Sequence, residues 1–410
     1  MKIVINLRDS VGLRVIRITY DLIALAFILV TGVWAFNFRN PLLMSIRDFE
    51  IPLYLFAVAL VWTLSRIYSP SLLRRSSSWI IPVFAIYVVY SDYCYESAKQ
   101  QILSDPSQQI LALNRKFIVG YSDVTEVTKL AENGIAGIFL TQRNIKGETF
   151  ESLQGFIAKL QEVRKAHGLP ALIVATDQEG GPVSRLSPLI AKQETLARIH
   201  QKGESAFEYG KRQGESLRRL GVTVNFSPVV DLIPDFPPSG FDFHTLIGTR
   251  AISSNPLDVV EVSLEYIRGL ESEGVVATLK HFPGLARVHE DTHYFAAVLD
   301  DSLDELGHRD LIPFARLATT TQSWVMLSHV TLAAVDSDHP VSTSYKVIHN
   351  LIKERLKMHN ILITDDMTMG AIYHRGFCKS IKQSFESSVD YLLIAYDYEK
   401  YYDAIQCLEG

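Results

Sequence analysis

Apolar positions along this chain follow two regimes. In the first hundred residues they form long blocks, LIALAFILVTGVWAFNF (22–38), IPLYLFAVALVWTL (51–64) and WIIPVFAIYVVY (79–90). From about Asp105 onward they shrink to short runs separated by longer segments with helical spacing. The runs are KFIVGY from Lys116, AGIFL from Ala136, ALIVATD from Ala171, VTVNFSPV from Val222, GVVATLKHF from Gly274, WVMLSHV from Trp324, NILITDD from Asn360 and YLLIAYD from Tyr391. Short strands alternating with helices are the mark of a parallel sheet covered by helices. Between the fourth and fifth runs, Asn255-Pro256 starts a helix whose apolar face is Val260, Leu264, Ile267 and Leu270, and Gly274 stops it. Eight such repeats match a (β/α)8 TIM-type barrel. A doubly wound open sheet has the same periodicity, but the polar residues favour the barrel. Asp177, Asp231, Lys280, His281, His329 and Asp365 all stand at or just after the C-terminal ends of their runs, which in a barrel converge on one mouth. No glycine-rich dinucleotide fingerprint follows the first run.

The long blocks predict a different environment. The first is nearly long enough to cross a bilayer, and the other two reach that length only with their flanks counted. Trp34, Trp62 and Trp79 lie where interfacial belts would place them. The expectation is a membrane region over 1–104, with transmembrane helices near 20–38, 51–67 and 78–95, followed by a barrel domain over 105–410. No small-residue cleavage site follows the first block, so a removable signal peptide is not expected. Lys2, Arg8, Arg14 and Arg17 precede the first block, and Arg66, Arg74 and Arg75 separate the second from the third. This bias puts the N-terminus in the cytoplasm and the barrel on the extracytoplasmic side, periplasmic or extracellular, of a multi-pass plasma-membrane protein with the lipid bilayer as partner.

Composition narrows the picture further. The chain has 410 residues, 48% of them hydrophobic, with the excess in the first hundred. Its net charge of −5 comes with no basic stripe, which argues against nucleic acid as a partner. Cys94, Cys378 and Cys407 are odd in number and widely spaced, matching no metal pattern and no disulfide framework.

Three stretches carry candidate chemistry. DQEGGPVSRL, starting at Asp177, sets two glycines behind an acidic pair, so the backbone can turn away while Asp177 faces the mouth, suited to accept hydrogen bonds from vicinal hydroxyls. ILITDDMTMGA, starting at Ile361, ends a strand in two aspartates, of which only one can point inward; the register puts Ile361, Ile363 and Asp365 on one side. An inward Asp365 could attack an anomeric carbon, whereas a helix-capping role suits Asp366 or Thr368. KHFPGLARVHEDTH, starting at Lys280, begins with two donors and ends with His293 two residues past Asp291. There the carboxylate could fix the tautomer of an imidazole acting as general acid and base. His281, His289 and His293 could instead bind a metal, but no second ligand cluster supports that, and no metal site is expected.

Together, DQEGGPVSRL, NFSPVVDL, IGTR, KHFPG followed by DTH, and ITDDMTMGA resemble family 3 glycoside hydrolases, in particular the bacterial single-domain β-N-acetylglucosaminidases that act on peptidoglycan fragments. The resemblance covers roughly Ile110 to the C-terminus. It implies that Asp365 is the nucleophile, that Asp291 and His293 supply the acid/base, and that Asp177, Arg250, Lys280 and His281 bind the sugar. No cofactor is implied, and the implied partner is a glycan containing N-acetylglucosamine. The expected activity is that of a membrane-anchored retaining exo-glycosidase, a β-N-acetylhexosaminidase. The alternatives are a phosphorylase or β-glucosidase-like hydrolase of the same fold and, from another class, an inactive glycan-binding module tethered to the membrane. Leu285-Ala286 stand where the family usually has His-Gly, and Pro182 where an arginine is common, which bears on the preference for the leaving group.

Overall fold

In the computed structural model of the chain, which describes residues 11–67, 72–104, 106–236 and 245–409, each short apolar run supplies one strand. They are β1 Phe117–Val119, β2 Gly137–Leu140, β3 Ile173–Thr176, β4 Val224–Asn225, β5 Val276–Phe282, β6 Trp324–Leu327, β7 Leu362–Asp366 and β8 Tyr391–Ile394. Every strand pairs in parallel with its neighbours in sequence, and β8 pairs back onto β1, closing the barrel. Closure excludes the open doubly wound sheet, which would leave two edges.

Strand alternation then sorts the side chains. Ile118, Phe139, Ala175, Phe226, Trp324 and Ile363 belong to one buried cluster inside the barrel, with the rings of Phe139 and Phe226 stacked at 5.6 Å. Two residues beyond Ala175 and Ile363 the same inward side carries Asp177 and Asp365, so the apolar interior gives way to carboxylates at the C-terminal mouth.

The helix Pro256–Ser272 is capped by the Asn255 side chain, which accepts from the Leu257 N–H, and Gly274 follows its end at φ +75°. Its buried face differs from the expected one. Val259, Val262, Tyr266, Ile267 and Leu270 are buried, whereas Val260 and Leu264 are half-buried. The helix is rotated because Gly269 lies backbone to backbone against the helix Ala206–Leu220, where an added Cβ would come within 2.3 Å of the Phe207 carbonyl oxygen.

The chain forms two compact units, Met1–Lys99 and Gln100–Gly410. The long apolar blocks do become helices, α1 Val11–Phe36, α2 Arg47–Ile67 and α3 Leu72–Ser104. Among the described residues, however, no helix is long and apolar enough to cross a membrane. This overturns the three-span reading, and with it the multi-pass location, the extracytoplasmic side and the bilayer as partner. The physical reason lies in the flanks. Each block alone falls short of the roughly 20 apolar residues a span needs, and the residues required to complete it are polar: Arg47, Asp48 and Glu50 for the second, and Arg74, Arg75 and Ser76 to Ser78 for the third. Lys2 and Arg8, used to orient the chain, lie outside the described residues.

Polar residues also organise the inside of this unit. Glu50 is fully buried and accepts from the Trp34 indole at 3.1 Å; burial pushes its carboxyl up against the lowering influence of Trp34, Arg39 and Arg47. Arg39 pairs with Asp92 at 2.8 Å and Glu96 at 3.1 Å, its guanidinium 3.5 Å from the Tyr95 ring centroid.

One further expectation fails in the barrel unit. Cys378 and Cys407 form a disulfide with a Cα–Cα distance of 5.2 Å, joining the helix Phe377–Glu386 to the helix Lys400–Glu409. Their wide sequence spacing concealed it, because the two helices that flank β8 are brought together only by the barrel.

Candidate active site

Immediately after β3 the chain turns back in a two-strand ribbon, Gln178–Gly180 against Val183–Ser184, with Gly180 and Gly181 at φ +93° and +60°. A side chain at Gly180 would come within 2.3 Å of the Glu194 carbonyl oxygen, so the turn requires glycine. Asn225 at the end of β4 holds the ribbon: its Oδ1 accepts from the Gln178 N–H and its Nδ2 donates to the Gln178 carbonyl, each at 2.9 Å. Asp177 and Glu179 are thereby aimed at β5.

From β5, Lys280 Nζ donates to Asp177 at 2.7 Å and lies 2.6 Å from Glu179. Glu179 also takes the Arg250 guanidinium through two oxygens, at 2.6 and 3.0 Å. Burial alone would raise the Glu179 carboxyl, but Arg250 and Lys280 outweigh it and hold the group well below the usual carboxylate range. Two cations and two carboxylates thus balance in a nearly closed network, where removing one partner would leave a buried charge uncompensated. The next residue, His281, donates its Nδ1–H to Asp231 at 2.7 Å, and Asp231 also accepts from the backbone N–H of Leu285 at 2.8 Å.

The loop after β5 ends at Asp291 and His293. Asp291 is buried and accepts from Thr245 Oγ1 at 2.9 Å, from the His293 N–H at 2.9 Å and from His293 Nδ1 at 2.8 Å. Burial would raise its carboxyl, but these bonds prevail and keep it ionised. Nδ1 of the half-buried His293 ring therefore holds a proton against Asp291.

At the end of β7, Asp365 faces the barrel mouth. Burial, the largest influence, favours its neutral form, yet the potentials of His281, His329 and His293 and the Asp366 N–H at 2.8 Å together hold its carboxyl below the ordinary value. Asp366 points the other way and accepts from the backbone N–H groups of Thr368, Ala395 and Tyr396; burial nevertheless pushes it up to about 6. His329 is buried between the Ser342 hydroxyl at 2.8 Å and the Asp366 carbonyl at 2.9 Å. A carbonyl only accepts, so Nε2 carries a proton, and burial lowers the ring's pKa.

A backbone joint connects the two halves. The Gly370 N–H donates to the His293 carbonyl at 2.7 Å and the Ala371 N–H to that of Thr292 at 3.3 Å, fastening the Asp291–His293 segment to the turn after β7. Gly370 is required there, since an added Cβ would lie 2.5 Å from the Tyr294 carbonyl oxygen. Gly370→Ala is expected to displace the loop by a fraction of an ångström and lower kcat by about 10²-fold, with little change in thermal unfolding. Steady-state kinetics beside a melting curve checks this, and an unchanged kcat would dissociate the joint from turnover.

Asp177, Arg250, Lys280, His281, His293 and Asp365 line one cavity at the mouth, and Asp291 stands behind His293. Sequence reading singled out all seven. It assigned no role to Asp231 and missed Glu179, Thr245, Arg185 and Tyr396. Glu179 had a signal, since a carboxylate two residues after Asp177 falls on the same side of an extended chain; Thr245 and Tyr396 had none. Leu285 lines the cavity, whereas Pro182 is exposed and outside its lining. Among the described residues no group of three or more histidine, cysteine or acidic side chains could hold a metal ion.

Comparison with known proteins points one way. The family model described as glycosyl hydrolase family 3 N terminal domain matches residues 109–409. A beta-hexosaminidase of Xylella fastidiosa is 31% identical over 294 residues, covering 70% of this chain and 83% of that protein. Among solved structures, a family 3 beta-N-acetylglucosaminidase from Paenibacillus sp. superposes with a TM-score of 0.68 at 26% identity, over 74% of this chain and 57% of that one. NagZ from Neisseria gonorrhoeae, solved with N-trifluoroacetyl-D-glucosamine, gives 0.61 at 27%, over 72% and 84%.

Proposed function

Because this chain belongs to glycosyl hydrolase family 3 and is a glycoside hydrolase of the β-N-acetylhexosaminidase type, we propose that it is a retaining exo-enzyme. In this reading it releases β-linked N-acetylglucosamine from peptidoglycan-derived or related glycans through a covalent glycosyl–Asp365 intermediate. The observation that supports this best is the backbone joint at Gly370, which keeps the His293 imidazole and the Asp365 carboxylate on one cavity.

The chemistry follows from the groups present. The Asp365 carboxylate forms a bond to the anomeric carbon as the bond to the leaving oxygen breaks. His293, protonated on both nitrogens, gives its Nε2 proton to that oxygen while Nδ1–H stays on ionised Asp291. In the second step neutral Nε2 takes a proton from water, whose oxygen bonds to the anomeric carbon and releases Asp365. Asp177, Lys280, Arg250 and His281 supply acceptors and donors for the sugar hydroxyls and acetamido group. The bound N-trifluoroacetyl-D-glucosamine of the Neisseria relative suits that assignment.

The test is product analysis on an aryl β-N-acetylglucosaminide with and without inorganic phosphate. Free N-acetylglucosamine, formed first as the β-anomer at a rate indifferent to phosphate, is expected. A sugar 1-phosphate would replace hydrolysis by phosphorolysis, and no turnover would remove the reading.

A further inference from the structure

The loop that carries Asp291 and His293 leaves the barrel at Pro283, directly after β5, so its stance decides where the His293 ring stands. Backbone groups fasten both ends. At the start the Leu285 N–H donates to Asp231 at 2.8 Å, and at the far end the Thr292 and His293 carbonyls accept from Ala371 and Gly370. Between these ends stands Arg287, outside the lining of the catalytic cavity, and its side chain crosses to the segment that follows the loop. Nε donates to Asp310 at 3.0 Å and Nη1 to Asp301 at 2.5 Å.

Both acceptors stand at helix starts. Asp301 immediately precedes Ser302, the N-cap of the helix Leu303–Gly307, and Asp310 is the N-cap residue of the helix Leu311–Thr320. An aspartate in that position ordinarily accepts from the first N–H groups of its own helix. Asp310 makes no such bond; its buried carboxylate turns to Arg287 instead. The loop also begins against this residue, since a Cβ added at Gly284 would lie 3.3 Å from the Asp310 Cβ. Burial disfavours the Arg287 charge, but Asp310 and Asp301 prevail and raise its pKa, so it stays a cation. We infer that Arg287 is a positioning residue: by clipping the middle of the loop to Asp301 and Asp310, it holds His293 in place for proton transfer without touching the sugar. The inference rests on the reading of His293 as acid/base. A clip of this kind raises the fraction of molecules whose loop is in place, and its loss lowers the rate in proportion.

The experiment compares kcat/KM on a β-linked N-acetylglucosamine disaccharide, whose leaving oxygen needs a proton, and on the nitrophenyl glycoside, whose leaving group does not. Arg287→Ala is expected to lose about 10-fold on the disaccharide and to stay close to wild type on the nitrophenyl substrate. Arg287→Lys, with one ammonium in place of a fork, should recover part of the loss. Asp301→Asn should show the same split at smaller size, and combined with Arg287→Ala it should add nothing, because the two residues act as one unit. Amide hydrogen exchange over residues 285–293 should quicken in both single variants. Removing Arg287 leaves the Asp310 carboxylate buried without its cation and lowers Tm; Asp301→Asn keeps that pair and carries the test if Arg287→Ala does not fold. Equal losses on both substrates, no loss on either, losses that multiply in the double variant, or unchanged exchange would each overturn the clip. A wild type without glycosidase activity, or a His293→Ala variant without the split, would instead count against the proposed function, and loop exchange by itself would then decide whether Arg287 holds the loop.

Discussion

Replacing Asp365 by alanine is expected to lower kcat on an aryl β-N-acetylglucosaminide by about 10⁴-fold or more, the scale on which loss of a central catalytic group is felt in other hydrolases. Sugar binding should survive, because Lys280, Arg250 and Asp177 form their own network and do not depend on Asp365 for partners. The fold should also survive. Asp365 makes one hydrogen bond to its own neighbour, whereas Asp366 receives the backbone N–H groups that tie β7 to β8. Asp366→Ala should therefore show the opposite pattern, a loss of stability of about 1–3 kcal/mol from unpaired N–H groups. A small anion such as azide, added to Asp365→Ala, has room to attack the anomeric carbon from the side the carboxylate occupied, and should restore turnover while producing the α-glycosyl azide. A variant that turned over normally would take Asp365 out of the reaction, and rescue that yielded the β-azide would refute attack from that side.

Much of this site was legible because barrel topology converts sequence position into spatial position. A charged residue at the end of an apolar run reaches the mouth whichever strand it comes from, so Asp177, Lys280 and Asp365 could be grouped without a contact map. Alternation along β7 distinguished the two aspartates by side. What stayed hidden depended on packing between elements. Tyr396 lies two residues past β8 in an apolar run, where a tyrosine reads as core, yet it lines the catalytic cavity. Thr245 reaches Asp291 from a segment with no periodic signal. The face of the helix Pro256–Ser272 was misjudged because a close approach at Gly269, not hydropathy, sets its rotation. The N-terminal blocks misled for a related reason: length was borrowed from polar flanks, and between the first two blocks Glu50 accepts from the Arg39 N–H while the Arg39 guanidinium pairs with Asp92 inside the unit.

His293→Ala should separate the two steps of the reaction through the leaving group. Where the departing oxygen is strongly basic, as in a sugar–sugar linkage, loss of the proton donor should cost about 10²–10⁴-fold in kcat/KM. With a nitrophenolate, which departs without a proton, kcat/KM should fall far less, and the slow step should become release of the sugar from Asp365, seen as a burst of phenol followed by slow turnover. The size of this split depends on Asp291. Its carboxylate is buried, ionised and bonded to both the backbone N–H and Nδ1 of His293, so it fixes the tautomer and stabilises the imidazolium. Asp291→Asn keeps the shape and removes the charge, and an amide nitrogen turned toward Nδ1 would favour the tautomer with its proton on the wrong nitrogen. That variant should resemble His293→Ala on basic leaving groups while leaving sugar affinity unchanged. Equal losses on both classes of leaving group in His293→Ala would mean that the imidazole holds the sugar and moves no proton, and the acid/base would then have to come from another group lining the cavity.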